Sequence, residues 1–212
     1  PAAPNANNLT NDEIVRGLKE ALTVGAANSA SSVSKPDGFY GNPQIFISFP
    51  PEAIRVKNTL EQAGLPGLVA DFEKSMNRAA EEASKKSLPI FRNAIVSMTV
   101  ADALGILKGP NNAATLYLKS RSETDLRAEF IPVVRSAIQT ARVSSYWKPL
   151  ASAYNKSTLL TGGSLVNPNL EDYITQKTLD GLFLLIAREE QEIRLNPAAR
   201  VTDILKKVFS AR

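Results

Sequence analysis

Residues 76–83, with the sequence MNRAAEEA, bring an amide, a guanidinium and two carboxylates within reach of one another. These groups can bind a charged ligand or transfer a proton when a fold holds them together. On a helix, Asn77 would neighbour Glu81, and Arg78 would neighbour Glu82. One interpretation is an exposed helix edge, on which each such pair contributes about 0.2–0.5 kcal/mol. The other is a buried network in which Asn77, Arg78 or Glu81 contacts another helix.

Asp102 lies within an apolar run, AIVSMTVADALGIL at 94–107. An unpaired charge in such surroundings costs several kcal/mol, so this carboxylate needs a cation, backbone donors or a raised pKa. We expect a structural ion pair with Arg78, or with Arg188 or Arg194 from a late helix. Asp102 is therefore grouped with residues 76–83 as a candidate buried polar network.

A catalytic carboxylate pair is the alternative for the same residues. In a hydrolase, Asp102 would act with Glu81 or Glu189 as general acid and base. The chain has no His and no Cys, which excludes thiolate nucleophiles, Ser-His and Cys-His arrangements and the usual zinc sites. No stretch has the spacing of an EF-hand loop. We therefore expect no catalytic residues, no metal site and no cofactor, and a protein that is not an enzyme.

Three aromatic residues near the middle of the chain form a candidate partner surface. Tyr146, Trp147 and Tyr154 are of the types enriched at binding hot spots. A cluster at the edge of the core is the other interpretation of the same residues.

Charge and hydropathy limit the partners. The net charge is +4, from 25 Lys and Arg against 21 Asp and Glu that are interspersed along the chain. No basic stripe with interleaved aromatics occurs, so nucleic-acid binding is not expected. No run of eighteen apolar residues occurs either, so no membrane span is expected. Association with a membrane surface remains open.

Local patterns predict helices along most of the chain. Thr10 and Glu13 form a capping box at the first helix, an apolar helix is expected from about Leu88 to Leu107, and Asn196-Pro197 would begin the last helix. Residues 45–49 alternate as in an extended or β segment, or form a loop pinned by its aromatics. Residues 144–169 form the longest predicted loop, and Gly181 suggests close packing against a neighbouring backbone in mid-helix.

The predicted fold class is therefore all-α. We expect a single-domain bundle of about seven helices around the central apolar helix, with one short extended segment near 45–49. Residues 1–8 would be a flexible N-terminal tether, and residues 9–212 the single helical domain.

Several runs together resemble the DUF4197 family, a bacterial-type family of exported proteins of unknown function. The resemblance rests on GNPQIFI, MNRAAEEA, the long run from PIFRNAIV to TLYL, and DGLFLLIAREEQEIRLNPAARVTDILKKVF. MNRAAE and DALGILKG are its most specific parts. The resemblance implies an extracytoplasmic location, in a periplasm or an equivalent compartment such as the thylakoid lumen. It implies no activity and no site residues.

The expected function is that of an exported, non-enzymatic binding or assembly protein. It would dock on a protein partner, as an extrinsic subunit of a membrane complex does. The first alternative is a carrier that encloses an apolar ligand or lipid within the bundle, and the second is the carboxylate-dependent hydrolase.

Overall fold

The structure, a computed structural model, describes residues 10–140, 143–162, 165–167 and 169–196, together with Lys206 and Val208. For residues 143–146, 150 and 161 it describes the backbone. The predicted tether and nearly all of the predicted last helix lie outside the described residues. The extent of the domain, 9–212, stays a prediction.

The prediction of an all-α fold is confirmed. The described residues form eight α-helices, named α1 (Asn11–Ser34), α2 (Ile54–Gln62), α3 (Pro66–Ser84), α4 (Ser87–Val96), α5 (Val100–Lys108), α6 (Ala113–Thr140), α7 (Val143–Thr161) and α8 (Leu170–Leu195). A short 3₁₀ helix, Pro51–Ala53, precedes α2. The capping box at the start of α1 is present, since Thr10 Oγ1 accepts from the Glu13 N–H at 3.2 Å and Glu13 accepts from the Thr10 N–H at 2.9 Å.

The predicted central helix is divided into two, so the expectation of one helix from Leu88 to Leu107 was wrong. Between α4 and α5 the axis bends by 103°. Thr99 caps the second piece, because its side chain accepts from the Asp102 N–H while Asp102 accepts from the Thr99 N–H. An apolar pattern alone does not show such a cap. In the described residues no single helix is long and apolar enough to cross a membrane, although α4 and α5 together have the length and composition.

Residues 45–49 form a loop, and the described residues contain no β-strand. The loop alternative for this segment is therefore the correct one. Ile45, Ile47 and Phe49 are nevertheless buried, which explains why the alternation resembled that of a strand.

The predicted loop at 144–169 was wrong for most of its length, because α7 occupies Val143–Thr161. The helical pattern of α7 was weak in the sequence, because Pro149 interrupts it and few apolar residues recur at helical spacing. Trp147, Ala151 and Thr158 are nevertheless buried on one side. Tertiary packing of these residues outweighs the weak local propensity.

The chain forms two compact units made of non-consecutive segments. Unit one comprises the segment up to Ser32, Ser87–Leu126 and the segment from Leu182 onwards; unit two comprises Val33–Lys86 and Arg127–Gly181. The core of unit one includes Leu18, Ala26, Phe91, Ala103, Leu118, Leu126, Leu182 and Ile186. The core of unit two includes Phe39, Ile47, Phe49, Met76, Phe130, Trp147, Ile174 and Leu179.

Candidate functional site

In unit two, the loop after α1 is held against α3 by a buried carboxylate. Glu81 Oε1 accepts hydrogen bonds from the backbone N–H groups of Phe39 and Tyr40, both at 3.1 Å. The Glu81 side chain is 5% exposed. Buried backbone donors in a loop need acceptors, and here one carboxylate oxygen satisfies two of them.

The same face of α3 pairs with the second half of the loop through an amide. Asn77 Oδ1 accepts from the Ile47 N–H at 2.9 Å, and Asn77 Nδ2 donates to the Ile47 carbonyl at 2.9 Å. Nδ2 also donates to the Glu73 carbonyl. The side chain thus supplies Ile47 with the pair of bonds that a neighbouring strand would supply, which is why an extended chain is stable there without a sheet.

Arg78 completes this group, which we call the Glu81 cluster (Asp37, Asn77, Arg78 and Glu81). Its Nη1 lies 2.6 Å from Glu81 Oε2 and its Nη2 lies 2.7 Å from Asp37 Oδ1. The hydrogen bond to Glu81 raises the pKa of Arg78 above its ordinary value. The guanidinium lies 5.7 Å from the centre of the Tyr40 ring. Although held on two sides, the Arg78 side chain is 37% exposed.

Arg78 borders a groove of about 790 Å³ between α3 and the second half of α6. The groove is lined by Lys74, Ser75, Arg78, Ala79, Glu82, Pro132, Val133, Ser136, Ala137 and Thr140. Lys74 is exposed and forms no ion pair or hydrogen bond with any described residue. The floor of the groove is made of small or apolar side chains. Its rim carries Lys74 and Arg78 one helical turn apart, and the exposed Glu82 one turn beyond Arg78.

Unit one contains a second buried carboxylate with an arginine, the Glu190 cluster (Glu190 with Arg194). Glu190 Oε1 accepts from the Ala114 N–H at 3.0 Å, and Oε2 accepts from the Thr115 N–H and hydroxyl, both at 2.8 Å. The carboxylate thereby caps the beginning of α6, where helix N–H groups lack partners within the helix.

Arg194 is paired with this carboxylate and caps the helix before it. Its Nη2 lies 2.7 Å from Glu190 Oε1 and donates to the Ile106 carbonyl, near the end of α5, at 3.1 Å. The Arg194 side chain is only 3% exposed. The Glu190 cluster therefore holds the turn between α5 and α6 from both sides.

The predicted ion-pair partners of Asp102 were wrong. The carboxylate accepts from the Thr99 N–H at 3.0 Å and from the Thr99 hydroxyl at 2.8 Å. Its ion-pair partner is Arg121, at 3.6 Å, rather than Arg78, Arg188 or Arg194. The hydrogen bonds from Thr99 lower the pKa of Asp102, with a smaller contribution from Arg121. Asp102 is a partly exposed helix cap, and its place in the apolar run reflects the start of α5.

The remaining members of the predicted network lie on the surface of α8. Arg188 is exposed and Glu189 half-buried. Asn28 of α1 donates to Glu189 Oε2 at 3.2 Å. The predicted residues therefore do not form one network: Asn77, Arg78 and Glu81 meet in unit two, Arg194 meets Glu190 in unit one, and Asp102 and Glu189 each have other partners.

The prediction of an aromatic partner surface was wrong for its central residue, Trp147. Trp147 is 1% exposed and packs on Phe72 and Phe49, with ring centres 5.2 and 6.1 Å away. It belongs to the core. Tyr154 is half-buried, and the side chain of Tyr146 lies outside the described residues.

Unit one also has a small apolar cavity beside Glu190. It measures about 20 Å³ and is lined mainly by Leu18, Ala21, Leu22, Ala26, Ile186 and Ile193. This space admits about one water molecule, so this cavity is too small for an acyl chain. Within the part of the chain that the structure describes, no three Asp or Glu side chains are grouped so as to hold a metal ion.

The family profile described as "Protein of unknown function (DUF4197)" matches residues 8–210, nearly the whole chain. The chain belongs to this family. The resemblance seen in the MNRAAE and DALGILKG runs is confirmed. MNRAAE lies on α3, where it supplies the Glu81 cluster, and DALGILKG forms most of α5 and its end at Gly109. No curated protein and no solved structure matches the chain significantly.

Three residues of these sites were missed from the sequence. Asp37 lies in a segment without a motif, and only the fold places it beside Arg78. Lys74 lies four residues before Arg78 on the same helix, so helical spacing already places it there. Glu190 lies four residues before Arg194, which is the spacing of an ordinary pair on a helix surface. A signal for Glu190 did exist, because the turn KGPNN ends one helix and begins another, and both ends need capping partners.

Proposed function

We propose that this protein is a non-enzymatic binding protein whose docking site is the groove between α3 and α6. The observation that carries the proposal is the groove itself, with an unpaired Lys74 beside an Arg78 that two carboxylates hold in place. A volume of about 790 Å³ lies within the range of known ligand pockets.

The buried carboxylates support binding rather than proton transfer. Both Glu81 and Glu190 accept hydrogen bonds from two consecutive backbone N–H groups and from an arginine. Such bonds fix the position of each carboxylate and occupy its oxygens. A general acid or base has to reach a substrate, and both carboxylates are buried with their oxygens bonded to the protein.

The lining of the groove indicates the chemistry of the partner. Small side chains such as Ala79, Ser136 and Ala137 let a polypeptide backbone approach closely. Lys74 offers a positive charge at the rim, since it has no ion pair with a described residue and the Glu82 carboxylate is paired with Lys85. We therefore propose a protein partner that inserts a helix or an extended segment carrying at least one Asp or Glu toward Lys74.

We also propose that the protein acts outside the cytoplasm, in a periplasm or a thylakoid lumen, as an extrinsic subunit of a membrane complex. This part of the proposal rests on the export that the family resemblance implies. Fractionation of the native cells tests it directly, and recovery of the protein with cytoplasmic markers would contradict it.

Affinity purification from the native cells tests the docking site. The wild-type chain is compared with Lys74→Glu, which reverses the unpaired charge, and with Ala137→Arg, which fills the floor of the groove. Lys86→Glu is the matched control, because Lys86 is an exposed lysine just beyond the same helix. All variants are first checked for native helix content by circular dichroism.

The proposal predicts a defined partner that co-purifies with the wild type and with Lys86→Glu and is lost with the two groove variants. A partner that binds all four chains equally would contradict it. Mass spectrometry of the same native material tests the carrier alternative, since a bound lipid would be detected there.

A further inference from the structure

Unit two contains a long stretch of the chain without any negative side chain. From Ile131 to Leu170 there is no Asp or Glu, whereas Arg135, Arg142, Lys148 and Lys156 lie within it. It is the longest stretch of the sequence without Asp or Glu, so its net charge is positive although its share of Lys and Arg is ordinary. Most of it is α7.

The end of α7 exposes a patch of leucines, which we call the leucine patch (Leu159, Leu160 and Leu165). Their exposed fractions are 72%, 90% and 54%. Asn155 fixes the following loop, since its Oδ1 accepts from the Val166 N–H and its Nδ2 donates to the Val166 carbonyl, both at 2.7 Å. Leu165 is thereby held near the last turn of α7.

The lysines of α7 are free to meet a negative surface. Lys148 and Lys156 are exposed, and neither has an ion pair or hydrogen bond within the described ranges. Glu171 lines the same cavity as Lys148, but its carboxylate is paired with Arg135 at 3.0 Å. The positive charge of the two lysines is therefore not compensated by that neighbour.

We propose that the end of α7 docks on an anionic lipid bilayer, with the leucine patch inserted among the acyl chains. Lys156, one turn before Leu160, would then lie at the level of the headgroups, and Lys148 would add to the attraction from further along the helix. This inference concerns a surface other than the groove and does not depend on the docking proposed there.

The geometry of the patch favours a fluid apolar phase over a folded partner. Successive residues of a helix diverge by about 100°, so Leu159 and Leu160 point in different directions from the end of α7. A lipid layer surrounds such a protruding tip, whereas one flat protein surface covers one side of it.

Vesicle sedimentation with the full chain tests the proposal. The probes are phosphatidylcholine vesicles with and without phosphatidylglycerol. We compare the wild type with the double variants Leu159→Ser/Leu160→Ser and Lys148→Glu/Lys156→Glu. The matched control is Leu116→Ser/Leu184→Ser, because these leucines of unit one are also exposed, at 51% and 44%.

The wild type and the control are expected to sediment with the phosphatidylglycerol vesicles, and high salt should weaken the binding. Each α7 variant should bind at least about tenfold more weakly. The groove variant Lys74→Glu should bind as the wild type does, which separates this proposal from the proposed function.

Three results would overturn the proposal. The first is no sedimentation of the wild type with anionic vesicles, and the second is equal loss of binding in the unit-one control. The third is self-association without lipid that Leu159→Ser/Leu160→Ser abolishes, since the patch would then belong to a second copy of the chain.

Discussion

The Glu81 cluster and the Glu190 cluster use one device in two different settings. In each, a buried glutamate accepts from two consecutive backbone N–H groups and pairs with an arginine of its own helix, at i−3 for Arg78 and i+4 for Arg194. The arginines differ sharply in exposure. Arg194 is 3% exposed, whereas Arg78 is 37% exposed and also reaches Asp37.

The difference in exposure distinguishes an arginine that stabilises the fold from one that can also contact a partner. In the Glu190 cluster, Nε and Nη2 of the buried guanidinium donate to the Glu190 carboxylate and to a helix carbonyl, so this arginine has its role within the fold. The Arg78 guanidinium is held by Glu81 and Asp37 but stays partly exposed beside the groove. Because its position is already fixed, contact with a partner costs little additional side-chain entropy. The substitutions below test this contrast, beginning with the largest expected effect.

Replacement of Glu190 by Ala should be the most destabilising change. It leaves the buried Arg194 without its carboxylate and the first N–H groups of α6 without an acceptor. Breaking a buried pair in this way costs about 3–5 kcal/mol. The free energy of unfolding from urea titration measures the loss.

The control is Glu192→Ala, an exposed change on the same helix, which should stay within about 0.5 kcal/mol of the wild type. A loss under about 1 kcal/mol for Glu190→Ala would contradict the anchoring role.

Replacement of Glu81 by Ala should cost less, about 2–3 kcal/mol. Two buried N–H groups lose their acceptor, but Arg78 keeps Asp37 and water. Hydrogen exchange should also show faster exchange of the Phe39 and Tyr40 amides. The neighbouring Glu82→Ala is the control, because Glu82 is exposed and forms a surface pair with Lys85. A loss equal to that of Glu190→Ala would mean that the exposure of Arg78 has no energetic consequence.

The two units also differ in how closely a mid-helix glycine is packed against its neighbours. A Cβ at Gly181 would lie 2.8 Å from Phe39 Cε1 and 3.1 Å from Ile45 Cβ, in the loop that Glu81 anchors. A Cβ at Gly25 would lie 3.5 Å from the Cβ of Glu189, an ordinary contact. Gly181→Ala should therefore lose about 1–2 kcal/mol through overpacking, and Gly25→Ala should gain up to about 1 kcal/mol in helix propensity. Thermal unfolding of the two variants gives the comparison, which fails if both shift the midpoint in the same direction.

The smallest loss of stability is expected at Asp102, the partly exposed carboxylate that caps α5. Asp102→Ala should cost about 0.5–1 kcal/mol at neutral pH. Because the pKa of Asp102 is lower in the folded chain than in the unfolded one, its contribution is present above the unfolded pKa and fades as pH falls through the folded pKa. The difference between wild type and variant should thus shrink below about pH 4. A difference that grows on acidification would contradict the lowered pKa.

The helical class and the residues of α3 could be predicted because they depend on local patterns. The stripe that includes Met76, Ala79 and Ala80 has helical spacing, and those side chains are buried. Gly181 was also interpreted correctly as a site of close packing, although its neighbours are side chains of Phe39 and Ile45 rather than backbone.

The partners of the polar residues could not be predicted, since they depend on contacts distant in sequence. Glu81 meets Phe39 and Tyr40 about forty residues away, and Glu190 meets Ala114 and Thr115 still further away. Asp102 was misinterpreted for a local reason. The apolar run hid the cap at Thr99, so a carboxylate at the start of α5 was taken for one inside a longer helix.

Site-specific photocrosslinking in native extract tests most directly whether the groove beside the Glu81 cluster is a docking site. A benzoylphenylalanine residue is placed at Ser136 in the groove, and in a second chain at Ser120, which is exposed on the same helix outside the groove. We predict one defined protein adduct from Ser136 that is absent from Ser120 and disappears when Lys74 is changed to Glu. No adduct from Ser136, or the same adduct from both positions, would contradict the proposed docking site.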